Sequence, residues 1–105
     1  MKIVDLDVLV AEPIRFVLGE DTFDVPTNPT TQTVLAMMAL DLKSKKAKTP
    51  EQQIELLGES VALILSQSGK DVTTAFVLDK FTMPQMKAVT RAYEQRMMEI
   101  NSDPN

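Results

Sequence analysis

The stretch Thr49–Gln67, TPEQQIELLGESVALILSQ, constrains this chain more than any other. Thr49 can cap a helix, Pro50 suits the first helical position, and Gln52 completes a capping box with Thr49. Ile54, Leu57, Val61, Ile64 and Leu65 then recur at helical spacing, and Leu56 and Leu63 widen the stripe. A stripe of that width needs neighbours on more than one side. Ser68-Gly69 supplies the stop, because glycine takes the left-handed conformation that follows many helix ends. The expectation is a central packing helix that carries no reactive group.

Whatever the chain does is done without cysteine or histidine. The first absence excludes disulfides and thiolate metal sites, and the second removes the commonest general base and zinc ligand. With 105 residues the chain reads as a single domain, 1–105, able to bury a modest core. Its net charge of −4 argues against nucleic acid or an anionic membrane as the main partner. The apolar run Val61–Leu65 is far too short to span a bilayer. Asp5 and Asp7 interrupt the apolar N-terminus, so no secretory signal is read there. A soluble intracellular protein is expected.

Residues 3–10, IVDLDVLV, alternate with the period of a half-buried strand. After Glu12-Pro13, Ile14, Phe16 and Leu18 alternate again up to Gly19, and Phe23 and Val25 resume beyond it, which predicts a hairpin. A sheet of two or three strands with one apolar face needs a layer to pack on. Helices supply it. Asn28 and Pro29 start one whose apolar face is Val34, Leu35, Met38 and Leu42, fraying into the basic connector Lys43–Lys48. Asp71 can cap a short helix bearing Val72, Ala75 and Phe76. Thr82 and Gln85 form a second capping box before Met83, Met86, Val89, Tyr93, Met97 and Ile100, and residues 102–105 make a polar tail. The predicted fold class is α+β: a small N-terminal antiparallel sheet over 1–26 on three or four helices over 27–101. Ile54, Leu57, Val61, Ile64, Leu65, Phe76, Val89 and Tyr93 are its expected core.

Few residues offer chemistry. Asp5 and Asp7 share a strand face, but two carboxylates alone make a weak site for a hard cation. Glu20, Asp21 and Asp24 flank a turn without calcium-loop spacing. Ser60, Ser66 and Ser68 have no histidine to activate them, and three glycines form no phosphate-cradling loop. The reading is a protein that is not an enzyme and needs no cofactor. Binding is the better prospect. Lys43, Lys45, Lys46 and Lys48 have no arginine or aromatic interleaved for base contact, while the first 42 residues hold two basic and seven acidic side chains. A solvated connector, or failing that a contact for an acidic protein partner, suits them better than DNA. Glu51, Glu55 and Glu59 fall at i, i+4 and i+8 and make an acidic ridge. Basic run and acidic ridge together suggest a homo-oligomer, pairing one surface of each copy with the other surface of the next, in a ring or a spiral. Seven methionines supply adaptable packing, and Met98, off the main stripe, is the candidate for an exposed partner contact.

The order of segments runs IRFVLGEDTFDVP, TNPTTQTVLAMMAL, a charged connector, TPEQQIELLGESVALIL, DVTTAFVLDKF and TMPQMKAVTRAYEQRM. Over nearly the whole chain this pattern resembles the tail assembly chaperones of long-tailed bacteriophages. The resemblance implies a non-enzymatic protein of the host cytoplasm that coats the tape measure protein, keeps it soluble and helps recruit tail tube protein. It brings no catalytic residues. Such proteins are often made in two forms, the longer through a ribosomal frameshift, and this chain looks like the short one. Two other classes stay open from the residues alone: a small adaptor or regulatory module binding one protein, and a DNA-associated regulator using the lysine run.

Overall fold

The computed structural model describes residues 1–4 and 12–102. The expected strand over 3–10, with Asp5 and Asp7, falls mainly outside the described residues, as do the end of the tail and the Ile100 side chain. Ile3 and Val4 are exposed and belong to no strand. The elements that follow are β1 (Ile14–Leu18), β2 (Asp21–Val25), α1 (Thr31–Lys46), α2 (Pro50–Ser66), α3 (Thr74–Lys80) and α4 (Met83–Ser102). The fold is α+β, with a two-stranded antiparallel sheet followed by four helices among the described residues. The shortest molecular dimension, 21 Å, is about two helix diameters, so the molecule is two layers thick.

The hairpin turns on Gly19-Glu20. Gly19 has φ +60° and Glu20 a negative φ, the pattern of a type II′ turn whose twist matches the strands. Ile14 then stands opposite Val25 and Phe16 opposite Phe23. That face turns inward: Phe23 and Val25 are buried, and Ile14, Phe16 and Leu18 pack against the core beside them. On the outer face Arg15 donates twice to Asp24, at 2.7 and 3.1 Å. Lys70, just beyond Gly69, reaches back to place its ammonium 5.1 Å from the Phe23 ring centre and to donate to the Thr22 carbonyl. That tether ties the sheet to the end of α2.

Helix α2 starts as its residues dictate, with the Gln52 amide donating to Thr49 Oγ1 at 3.2 Å and Thr49 donating back to Gln52 Oε1 at 3.4 Å. Val61, Ala62, Ile64 and Leu65 are its apolar contribution to the core, met by Phe23 and Val25 of β2, Val77 of α3 and Met86, Val89 and Tyr93 of α4. Gly58 is where α3 crosses: a Cβ there would lie 2.7 Å from Leu78 Cδ2. A glycine inside a helix costs about 1 kcal/mol relative to alanine, and here it allows the close approach of α3.

Several expectations are corrected. Ile54 is 38% exposed, because it lies one turn before the α3 crossing and is only partly covered. Leu57 and Phe76 are only half-buried, the latter edge-on to Phe81 with ring centres 6.5 Å apart. The α1 cap is Thr30 rather than Asn28, with the Thr33 amide donating to its hydroxyl at 3.3 Å. Buried Thr27, donating to the Glu12 carbonyl at 2.9 Å, anchors the preceding turn outside the helix. The α3 cap is Thr73, in an extended conformation, rather than Asp71, because Val72 is buried ahead of the helix and its carbonyl accepts from Ser66 Oγ at 2.9 Å. The basic run is helical: α1 persists through Lys46 and the connector shrinks to Ala47–Thr49. Lysine favours helix, Asp41 pairs with Lys45 at 3.2 Å, and cations suit a helix C-terminus. The expected apolar face of α1 is the exposed one, with Leu35 at 61% and Met38 and Leu42 at 58%.

Two measurements check this fold. Leu65→Ala, at a fully buried position, should cost roughly 2–5 kcal/mol in urea denaturation, and Leu57→Ala distinctly less. Equal losses would mean that α2 is packed on a different face. The bond from Arg15 holds the Asp24 carboxyl below its ordinary value, a direction that burial opposes and the Arg15 charge reinforces. A depressed carboxyl stabilises the fold above the unfolded-state value, and that contribution disappears as pH falls through the folded-state value. In a carboxyl NMR titration Asp24 should therefore have its midpoint below the ordinary aspartate value, and Arg15→Gln should move it upward, with the Lys70 charge still holding it down in part.

Candidate functional site

Helix α2 carries α1 along one side and α4 along another, and the two flanking helices leave a trough between them. Its volume is 740 Å³. Leu56, Leu57 and Leu63 of α2 form an apolar floor, half-buried because the trough exposes them. Met37 and Leu40 make the α1 wall, and Met97 and Met98 stand on the α4 side. Met98, 71% exposed, is the most prominent apolar side chain of the rim.

Half of the lining residues are polar or charged, but most of the lined surface is apolar, and several of the polar groups are bonded within the chain. Ser60 Oγ donates back to the Leu56 carbonyl at 3.0 Å. Gln67 Nε2 donates to the Tyr93 hydroxyl at 3.3 Å. Burial pushes the Tyr93 phenol above its ordinary value, and the bond from Gln67 offsets part of that. Asp41, Lys87 and Glu94 edge the trough, all exposed, with both signs of charge. Such a lining accepts an apolar surface and discriminates little by charge. Long flexible methionines on both sides let the walls adjust to side chains of different shape.

The charged residues named from the sequence lie elsewhere. Lys43, Lys45 and Lys46 occupy the last turn of α1, and Lys48 the connector. Glu51 and Glu55 are exposed on the first two turns of α2, while Glu59 is half-buried. None of the seven lines the trough. Lys45 is held by Asp41, and among the described residues no ion pair joins the lysines to the glutamates. Among the described residues no cluster of three acidic side chains offers a metal site, and no helix is long and apolar enough to cross a membrane.

Sequence reasoning missed the trough itself and its α1 wall. Met37 and Leu40 were passed over in favour of the apolar residues on the opposite side of that helix. The mid-helix Gly58 was the one available signal that α3 crosses α2 closely. No known family, curated protein or solved structure matches this chain.

Exposure of the methionines gives a direct check. Under dilute peroxide the fully exposed Met1 should become a sulfoxide first, with Met98 and Met38 next at 71% and 58% exposure, and Met86, at 3%, last. Peptide mass analysis over time would show the order, and early loss of Met86 would contradict the packing of α4 on α2.

Proposed function

We propose that this chain is a non-enzymatic tail assembly chaperone of a long-tailed bacteriophage. In this reading it works in the host cytoplasm, holds helical segments of the tape measure protein and helps recruit tail tube protein. The trough between α1 and α4 supports the reading: it is a preformed apolar furrow, floored by leucines and walled by methionines, with mixed charge at its edge. An amphipathic helix binds such a furrow by laying apolar residues at i, i+3, i+4 and i+7 along it. A long client needs many contacts of this kind, each weak and tolerant of sequence, and methionine-rich walls provide tolerance. The tape measure protein enters as client only because the family resemblance, carried by the order of sheet, connector and helices, implies it.

Co-expression with the tape measure protein should keep that client soluble, and the isolated complex should protect Met98 from peroxide. Met98→Asp sets a charge on the apolar rim and should weaken binding by about tenfold, near 1.4 kcal/mol. Undiminished affinity together with an unprotected Met98 would remove the trough from the contact. A stable one-to-one complex with a small folded partner, and no effect on the tape measure protein, would identify an adaptor instead.

A further inference from the structure

The two walls of the trough differ in the charge they can offer a guest. On the α1 side Asp41 is held by Lys45 at 3.2 Å, and the neighbouring Ser44 carries no charge. On the α4 side Lys87 and Glu94 both line the trough and are exposed, and neither forms an ion pair among the described residues. Two helical turns separate them, a rise of about 10.5 Å, which keeps them on one face of α4 but too far apart to neutralise each other. Thr90, between them, is occupied within its own helix, its hydroxyl donating to the Lys87 carbonyl at 3.1 Å. Arg91, the next cation along α4, does not line the trough.

The α4 wall therefore has a direction. Along the chain it passes from the cation of Lys87, through neutral Thr90, to the anion of Glu94, and ends in apolar Met97 and Met98. The floor has no such polarity. Leu56, Leu57 and Leu63 are apolar, Gln53 and Ser60 are uncharged, and Ser60 already donates to the Leu56 carbonyl. A guest stripe at i, i+3, i+4 and i+7 has the same spacing read from either end, so the floor accepts a helix in both directions. A lining with both signs of charge discriminates little by the net charge of a guest, but it can read the order of its charges.

We infer that the trough holds its guest helix parallel to α4, with a carboxylate opposite Lys87 and a cationic side chain seven residues later opposite Glu94. The inference rests on the reading of the trough as a furrow for helices, and adds which helices it selects and how they lie. Two helices packed nearly along each other keep register over two turns, so the guest repeats the spacing of Lys87 and Glu94. A segment with its base first would have to lie the other way. It is the poorer guest, because an acid near the start of a helix and a base near its end are stabilised by the helix dipole, and such a segment loses less on ordering. The apolar floor supplies the attraction, and the charges set the direction.

Three synthetic helical peptides test this on the intact chain. All share one apolar stripe and carry their variable positions on both flanks, so that either direction presents them to α4. The first has glutamate seven residues before lysine, the second has the reverse order, and the third has glutamine throughout. A nitroxide at each peptide N-terminus broadens nearby amide signals and so reports which end of α4 it adjoins. The first peptide should broaden the α4 signals before Lys87 more than those after Glu94, the second should do the converse, and the third should affect both ends. By fluorescence anisotropy the first should bind about three- to tenfold more tightly than the third, a gain that shrinks at high salt, since exposed pairs are individually weak and screened. Lys87→Glu/Glu94→Lys, whose circular dichroism should still report folded helices, should exchange the directions of the first two peptides. Equal affinity for all three, or broadening at both ends by the first, overturns the assigned direction and leaves the furrow standing. A direction that survives the double substitution overturns the roles of Lys87 and Glu94. Failure of all three peptides to bind overturns the inference and the furrow together.

Discussion

A helix of 17 residues can support four neighbours only if its sides are divided among them, and α2 is divided in that way. Val61, Ile64 and Leu65 reach into the core shared with β2 and α4. Gly58 removes a side chain where α3 crosses. Leu56 and Leu63 are left for the trough beside α1 and α4. The hairpin, with its single apolar face, would be marginal alone. It holds because Phe23 and Val25 are covered by this helix and because Lys70, at its end, closes over Phe23 and the Thr22 carbonyl. α1, α3, α4 and β2 all take their positions from α2, and β1 takes its own from β2.

That division also explains where binding surfaces arise. In a domain of this size the core is small, and more apolar side chains are present than it can enclose. Some of those left over stand singly, as Val17 on the hairpin and Met83 at the start of α4 do, but others gather in the floor and walls of the trough, along the outer side of α1, and at Ile54 and Leu78. Contiguous apolar surface edged by charge is a mark of interaction sites. The reading of this protein as one that binds other chains rests on that arrangement and on the absence of histidine and cysteine from the sequence.

What could be read from the sequence was what is decided locally. The starts of α2 and α4 follow from Thr49-Pro50 with Gln52 and from Thr82 with Gln85, because both partners of each capping box lie within one turn. The hairpin follows from Gly19 and the alternation on either side of it. Local rules went astray where a distant group intervened. Thr27 is fixed by the Glu12 carbonyl and Val72 by the core, and in both places the helix begins two residues later than its nearest capping residue suggests. The face of α1 was misjudged for another reason. Apolar residues occur on both of its sides, so periodicity could not choose between them, and the choice belongs to the packing on α2. The trough was illegible in principle, since a gap between two helices that do not pack together leaves no pattern in either one. Met98 could be singled out only as a residue off the main stripe.

The lack of any buried residue in α1 has a consequence for how the molecule moves. Resistance of a segment to local opening grows with the apolar surface it keeps from water, so α1 has the shallowest free-energy well of the long helices. Its amide hydrogens should therefore exchange with solvent faster than those of α2, through excursions that leave α2, α4 and the hairpin intact. The α1 wall of the trough is thereby more compliant than the floor that α2 supplies. A guest that grips the compliant wall lowers its opening frequency and is credited, by mass action, with order that the empty protein lacks.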